Sequence, residues 1–463
     1  MVEARSLRKA VVPSTLIQNP SPGNIQPTRL ALHVSKDGSS CWAYIASGSH
    51  IYKLQISLED SLVNKGKESL LIPGQAQVMD SFLVNRCPHR SEIQSIVLTE
   101  TESTDYLMLG SVDSYGHLIV SKLDTTGKVS LDKHLPRRVV FFVWTTTWGM
   151  ILTCDNLMKK GITLVDRLCV VLACLMRLIW RERNTHTFED VEKSADFLKS
   201  LLVGTLFGCS HANRLTYSVL PQDGGVGEGS WAGLCFSPSQ LSMAAVARSF
   251  CKTVDVYDQD IHVRTLHTLW YPSSLNFIQN LFHGNESSIL AITEGCQLTI
   301  WDLRMKENGG CLHRICGSPG DVFYAVCGSS TGNVAVGGAD RTVTIFDPRR
   351  WSALSRWVHC SKYEIGDQRS PSDVNVTEAT LITGLAFSSI DPDHIYIQGV
   401  DYEVFCGQWK ENKKVFSYRG DSNWLGFCKC PKRDVLGGWC DSGSIFVADI
   451  VAKESEIVNG YPE

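Results

Sequence analysis

The chain has 463 residues, 43% of them hydrophobic and 20% charged, with a formal net charge of −4 at pH 7. That balance describes a globular protein with room for one large domain or two to three ordinary ones. It excludes bulk attraction to phosphate backbones, and no basic cluster stands out, so no nucleic-acid partner is expected. The 17 cysteines are odd in number and scattered. They form no CxxC pair and no Cys/His group at zinc spacing, and Cys428 and Cys430, separated by one residue, are too close for a knuckle. They read as small buried hydrophobes in a reducing compartment.

In chain order, residues 1–27 form an N-terminal segment with neither a long apolar core nor a small-residue cleavage site, so no secretory signal is expected. Two segments then show paired runs of strand-like residues around turns: LALHVSKDGSSCWAYIASGSHIYKLQI from Leu30 and IQSIVLTETESTDYLMLGSVDSYGHLIVSKL from Ile93. Both fall within 28–136. Over 137–210 the composition shifts to helical character, with apolar residues at Leu175, Leu178 and Ile179 and at Phe197, Leu198, Leu201 and Leu202. The apolar stretch Leu168–Met176, bracketed by Arg167 and Arg177, is far shorter than the roughly 20 residues that cross a bilayer. The expectation is a soluble intracellular protein of cytoplasm or nucleus, with no membrane partner.

From Trp231 a unit recurs: a "GLxFS" strand, a run of small apolar residues, a turn, and a strand ending in an aromatic-acid pair. The pairs are Tyr257-Asp258, Trp301-Asp302 and Phe346-Asp347, 44 and 45 residues apart, which matches the roughly 40–45 residues of a four-stranded propeller blade. The pattern continues with Trp409 in the corresponding position and with Ala448-Asp449, after a polar stretch, GDQRSPSDVNVTEAT, that reads as an inserted loop. With the two earlier segments, blades 1–2 occupy 28–136 and blades 3–7 occupy 211–452, leaving 453–463 as a tail. Alternation in Leu298-Thr299-Ile300-Trp301 predicts burial of alternate side chains between blades, with turns at Gly295 and at Ala339-Asp340.

"LTIWDLR" and "GGADRTVTIFDPR" resemble the blade ends of WD-repeat proteins. The resemblance implies an all-β fold, a propeller of seven blades. It also implies a stabilising Asp in the tight turn, carried here to Asp340 and Asp441, while the turn at Gly295 has no Asp and the His of a typical unit start is largely absent. The block 137–210 instead resembles the tail of the reverse-transcriptase reading frame of plant non-LTR retrotransposons, in "FFVWTTTWGMILTCDNLMKKG" and "IWRERNTHTFED". Its Cys/His knuckle is missing and no polymerase domain precedes it, so neither metal binding nor polymerase activity is implied. Two readings stay open: an exonised or wrongly joined transposon fragment between blades 2 and 3, or a genuine helical binding insertion. Lengthening a loop adds only about 0.6 kcal/mol per doubling, but Phe141, Phe142, Trp144 and Trp148 would form an adhesive patch.

No catalytic, cofactor-binding or metal-binding residue is expected. Gly-Asp-Ser at Ser422 lacks a Gly-rich oxyanion loop, and Gly224, Gly225, Gly227 and Gly229 lack the strand and helix of a phosphate cradle. His262 and His267 suit a turn and an outer strand better than a metal, and the sequons at Asn285 and Asn375 mean little inside a cell. The chemistry singled out is for partners. ILAITEGCQLTIWDLR matches much of the Trp-Asp-x-Arg blade end by which some WD-repeat proteins dock on a cullin-RING ubiquitin ligase adaptor, and VAVGGADRTVTIFDPR follows it in tandem. Trp301, Asp302, Arg304, Asp347 and Arg349 are therefore the candidate partner-binding residues, with Arg304 and Arg349 offering planar donor forks. The plain alternative is that Asp302 only pairs with Arg304 or satisfies a turn. The expected function is a non-catalytic interaction scaffold, monomeric within a complex. A ligase substrate receptor is the alternative, and an enzymatic propeller, needing polar groups that converge at the channel, is the competitor from another class.

Overall fold

A computed structural model describes residues 2–18, 25–58, 64–66, 69–84, 89–100, 106–124, 215–221, 230–278, 288–318, 321–358, 360, 381–400 and 402–453. Chain contacts define two units. One comprises 1–102, 107–121 and 216–463; the other, 103–106 and 122–215, falls almost wholly outside the described residues, and with it the block 137–210 and its expected helices. The first unit is a seven-bladed β-propeller. Its seven blade sheets follow one another along the chain, six of four strands and one of five, and Asn64–Lys65 pairs with Leu71–Ile72 in a separate two-stranded ribbon. Their first strands, Leu30–Val34, Ile93–Glu100, Ala232–Phe236, Pro272–Ile278, Phe323–Gly328, Ile382–Phe387 and Trp424–Lys429, touch each other in a closed ring. Among the described residues the only helical elements are short 3-10 turns at Ser14–Leu16 and Glu307–Gly310.

The ring closes through the start of the chain. Val2–Val11, which the repeat pattern leaves outside the blades, pairs antiparallel with Ser444–Ala452 and supplies the fourth strand of blade 7. Val2, Ala4, Leu7 and Ala10 are buried, while Arg5 on the opposite face grips the Asp449 carboxylate, its Nε at 2.9 Å. Behind it, residues 27–29 link three blades. Pro27 O accepts the Phe427 N–H, Arg29 N–H donates to Leu425 O, and Thr28 receives Ile96 N–H on its carbonyl and Trp231 Nε1–H on its hydroxyl.

Expected alternation becomes two-sided burial. Leu298, Thr299, Ile300 and Trp301 are all buried, because each blade has a neighbour on both faces. Leu298 and Ile300 pack with Val326, Val334 and Val336 of blade 5, whereas Trp301 packs with Trp231, Val254 and Val256 of blade 3. Trp409 requires a correction. Pairing sets Gln408 opposite His394 and Asp302 opposite Ile289, each the first residue of its second strand, so the counterpart of Trp301 is Gly407, and Trp409 stands two residues beyond. Gly407 leaves the space empty for the Trp357 ring of blade 5, which a Cβ there would strike.

Polar contacts also cross the blades. Glu100 of blade 2 meets His33 of blade 1 at 3.1 Å and Lys432 of blade 7 at 2.9 Å. The His33 hydrogen bond, opposed by burial and helped by Lys432, holds the Glu100 carboxyl at about 2. In blade 2, Asp113 accepts the Tyr115 and His117 N–H groups on Oδ1, while its Oδ2 lies 3.3 Å from His89 Nδ1; His89 Nε2 lies 2.8 Å from Ser111 Oγ. Here a histidine of the incoming link meets the aspartate at the turn between the second and third strands. Burial, then the neighbouring His89, lowers the His117 imidazole to about 4, so it is neutral at pH 7.

Two outcomes follow. Leu7→Ala is expected to lower stability by about 2–5 kcal/mol in guanidinium unfolding, whereas a loose N-terminal tail would tolerate it. Because the folded Glu100 pKa lies below its ordinary value of 4.5, its stabilisation is complete above that value and is lost as pH falls towards about 2. Urea unfolding of Glu100→Gln across this window should show a shallower acid loss than the parent; parallel curves would rule out the contribution.

Candidate functional site

Strand direction alternates within each blade, so the turns between second and third strands share one rim with the links between blades. First-to-second and third-to-fourth turns lie on the opposite rim. The link rim of blades 3 and 4 carries the clearest exposed apolar group: Phe250, Leu269, Trp270 and Tyr271 are 58%, 57%, 52% and 55% exposed. Single exposed hydrophobes are ordinary, but a group of this size on one rim has the character of an interaction surface.

A buried carboxylate fixes that surface. Glu294 ends the second strand of blade 4, Ile289–Glu294, and is fully buried. Its Oε2 accepts the N–H groups of Leu269 at 2.6 Å and Trp270 at 2.8 Å, and its Oε1 takes Arg314 at 3.2 Å. Trp270 stands over the turn at Gly295, whose φ of +54° favours glycine and where a Cβ would lie 3.1 Å from the ring. Thr268 N–H donates to Lys252 O at 3.0 Å, and Lys252 Nζ sits 4.8 Å from the Tyr271 ring centroid. Two blades thus hold the aromatic rings from below and leave their outer faces to solvent.

The expected partner-binding residues divide. Trp301 is buried, and its indole N–H donates to Thr299 Oγ1 at 3.0 Å, so it shapes the interior rather than the surface. Asp302 and Arg304, and Asp347 and Arg349, lie at third-to-fourth turns, on the rim opposite the aromatic face. In both turns an Asp Oδ1 accepts the Arg N–H at 2.9 Å. The Arg304 fork also closes on Asp302, Nε to Oδ1 at 3.1 Å and Nη2 to Oδ2 at 2.9 Å, with the Arg304 side chain 47% exposed. That hydrogen bond, with burial opposing, keeps the Asp302 carboxyl below its ordinary pKa.

The turn aspartates act as turns. Asp340 Oδ1 accepts Thr342 N–H at 3.1 Å, and Asp441 ties its turn to the preceding link through Asn423, N–H to O at 2.9 Å and Nδ2 to Oδ2 at 3.1 Å. Ser422 Oγ accepts Ser442 N–H, and the adjacent Asp421 binds Ser442, Ser444 and Lys9, which makes this a blade connection. His262 lies 2.9 Å from Thr265 Oγ1 on the outer strand Ile261–His267. Five residues of extended chain, about 16 Å, separate it from His267, too far for one ion. Gly224 to Gly229, Asn285 and Asn375 lie outside the described residues.

A half-open pocket of about 220 Å³ lies against the first strands of blades 1, 2, 3 and 7, lined by Leu30, Leu32, Ile96, Leu98, Leu234 and Phe427, with Lys429 at its wall. Lys429 Nζ reaches Ser389 Oγ at 2.5 Å and Asp434 at 3.6 Å. Asp434 itself accepts Tyr396 OH at 2.7 Å and Ser389 N–H at 2.7 Å. Burial lowers the Lys429 pKa against the pull of Asp434.

Comparison with protein families and with curated proteins finds no family model and no curated protein that matches the chain.

Glu294, missed in the sequence, is the positioning group of this face. Its signal is an acid ending a second strand immediately before a turn glycine. Glu294→Ala would leave the Leu269 and Trp270 N–H groups and Arg314 without their acceptor and is expected to lose about 1–3 kcal/mol in urea unfolding, with faster chymotrypsin cleavage after Trp270 or Tyr271. Unchanged cleavage would mean that the link is held by other contacts.

Proposed function

We propose that this chain is a non-catalytic protein-interaction scaffold, a WD-repeat-type propeller that receives protein partners on its link rim. The observation that carries the reading is the aromatic face of Phe250, Leu269, Trp270 and Tyr271, more than half exposed on a frame anchored by buried Glu294. Trp and Tyr held rigidly at a surface are the side chains from which binding hot spots are made, because they bury much area and lose little conformational entropy. The aromatic-acid strand ends, the Asp340 turn and the contact between His89 and Asp113 support the WD-repeat assignment. The described cysteines are all unpaired thiols, which supports a reducing, intracellular setting. No helix among the described residues is long and apolar enough to cross a membrane.

A second reading, a substrate receptor of a cullin-RING ubiquitin ligase, is favoured by the matching turns at Asp302-Arg304 and Asp347-Arg349 on adjacent blades. Two variants separate the readings in affinity purification with quantitative mass spectrometry. Changing Phe250, Trp270 and Tyr271 together to Ala should reduce recovery of bound partners at least tenfold while Arg304→Ala with Arg349→Ala leaves them in place. Loss of purified ligase adaptor on the double arginine variant alone would favour the receptor, and partners indifferent to both variants would sink both readings.

For the block 137–210, we take the transposon-derived fragment as the better reading, on its phrases alone. Long-read transcripts across Leu135 to Asn213 should skip it. Transcripts that retain it would make the insertion part of the working protein.

A further inference from the structure

We propose that His89, Asp113 and His117 of blade 2 form a binding site for a divalent transition metal, zinc by their donor set. His89 lies in the link before Ile93–Glu100, Asp113 ends the second strand Tyr106–Asp113, and His117 precedes the third strand, Leu118–Asp124. The three residues are buried, and one ligand atom from each lies within 4.8 Å of the others. Asp113 Oδ2 is 3.3 Å from His89 Nδ1 and 3.8 Å from His117 Nδ1. Tetrahedral zinc with bonds of about 2.0–2.1 Å places its donors roughly 3.3 Å apart, so the Asp113–His89 edge already fits, the Asp113–His117 edge needs a few tenths of an ångström, and the edge between the two imidazoles, within 4.8 Å, closes as they turn towards the ion.

A hydrogen-bonded latch alone accounts for His89, Ser111 and Asp113. It does not account for His117. The His117 Nδ1 atom is buried without a hydrogen-bond partner, an arrangement that proteins seldom tolerate because the polar group forfeits its water and gains nothing. That orphaned nitrogen faces the same carboxylate oxygen as His89 Nδ1. The remote nitrogens are each oriented by a serine hydroxyl, His89 Nε2 lying 2.8 Å from Ser111 Oγ and His117 Nε2 2.7 Å from Ser218 Oγ, and an outer partner of this kind fixes the ring of a metal-bound imidazole. Asp113 Oδ1 is fixed by the N–H groups of Tyr115 and His117, leaving Oδ2 for the ion. Two imidazoles and a carboxylate leave the fourth position to water, and the ion would clasp the link before blade 2 to its second turn.

The test uses the full-length chain, stripped with chelator, reloaded with zinc and passed through gel filtration. We expect about one zinc per chain by plasma mass spectrometry, and a visible d–d absorption band of tetrahedral type when Co²⁺ is added instead. His117→Ala should lower bound zinc at least tenfold and abolish the rise in melting temperature that zinc gives the parent. If the variant does not fold, the Co²⁺ spectrum of the parent decides alone. A folded parent that keeps no zinc and gives no tetrahedral Co²⁺ band overturns the proposal, and so does a folded His117→Ala chain that holds zinc as the parent does. Either result would leave a hydrogen-bond latch only.

Discussion

Pairing of Val2–Val11 with Ser444–Ala452 turns a row of sheets into a ring. An open row would end in blade faces and strand edges that invite association, and blade 7 would lack its outer strand. Closure brings together segments more than 400 residues apart, as in the contact of Arg5 with Asp449. The entropy of joining such distant segments rises only with the logarithm of length, while the buried Val2, Ala4, Leu7 and Ala10 repay it along a whole strand. Residues 27–29, bonded to blades 7, 2 and 3 at once, brace the same seam from inside.

Closure also decides what the interior looks like. With a neighbour on each side, a blade has no solvent face, and both sets of alternating side chains enter apolar clusters. Second strands such as Val334–Gly338 and Val435–Cys440 are buried at every position. Shape then matters at each contact between blades: Gly407 is vacant because Trp357 fills its place, and Gly110 stands against Phe236 in the same manner. The repeat is maintained in volume rather than in residue type.

This explains which parts were legible in the sequence. The third strands and their tight turns were, because an aromatic-acid pair recurs at nearly constant spacing and Gly295 and Asp340 mark reversals. The strand Val2–Val11 was not. Its charged residues Glu3, Arg5, Arg8 and Lys9 mask the buried face, and its partner lies at the other end of the chain. Trp409 has the aromatic identity of the repeat but not its register. The aromatic face stayed hidden for the converse reason, since Leu269-Trp270-Tyr271 has the composition of a core segment and only the geometry turns it outward. Of the candidate partner residues, Asp302, Arg304, Asp347 and Arg349 do lie at turns of one rim, whereas the repetition that drew attention to Trp301 came from packing.

The link rim shows how degenerate repeats acquire distinct chemistry. Among the described residues, three blades fasten the incoming link to the turn between their second and third strands, each by a different group. Blade 2 uses His89 against Asp113, blade 4 uses Glu294 against two backbone N–H groups, and blade 7 uses Asp421 and Asp441 with Ser442, Ser444 and Asn423. A carboxylate that binds backbone releases the link side chains from any fastening duty, and this is where Leu269, Trp270 and Tyr271 are free to face outward. A latch made of side chains instead draws His89 inward. The same mechanical task falls to blades 2 and 4, and the fastener in each goes with a stretch of rim that either presents an apolar surface or draws an imidazole inward.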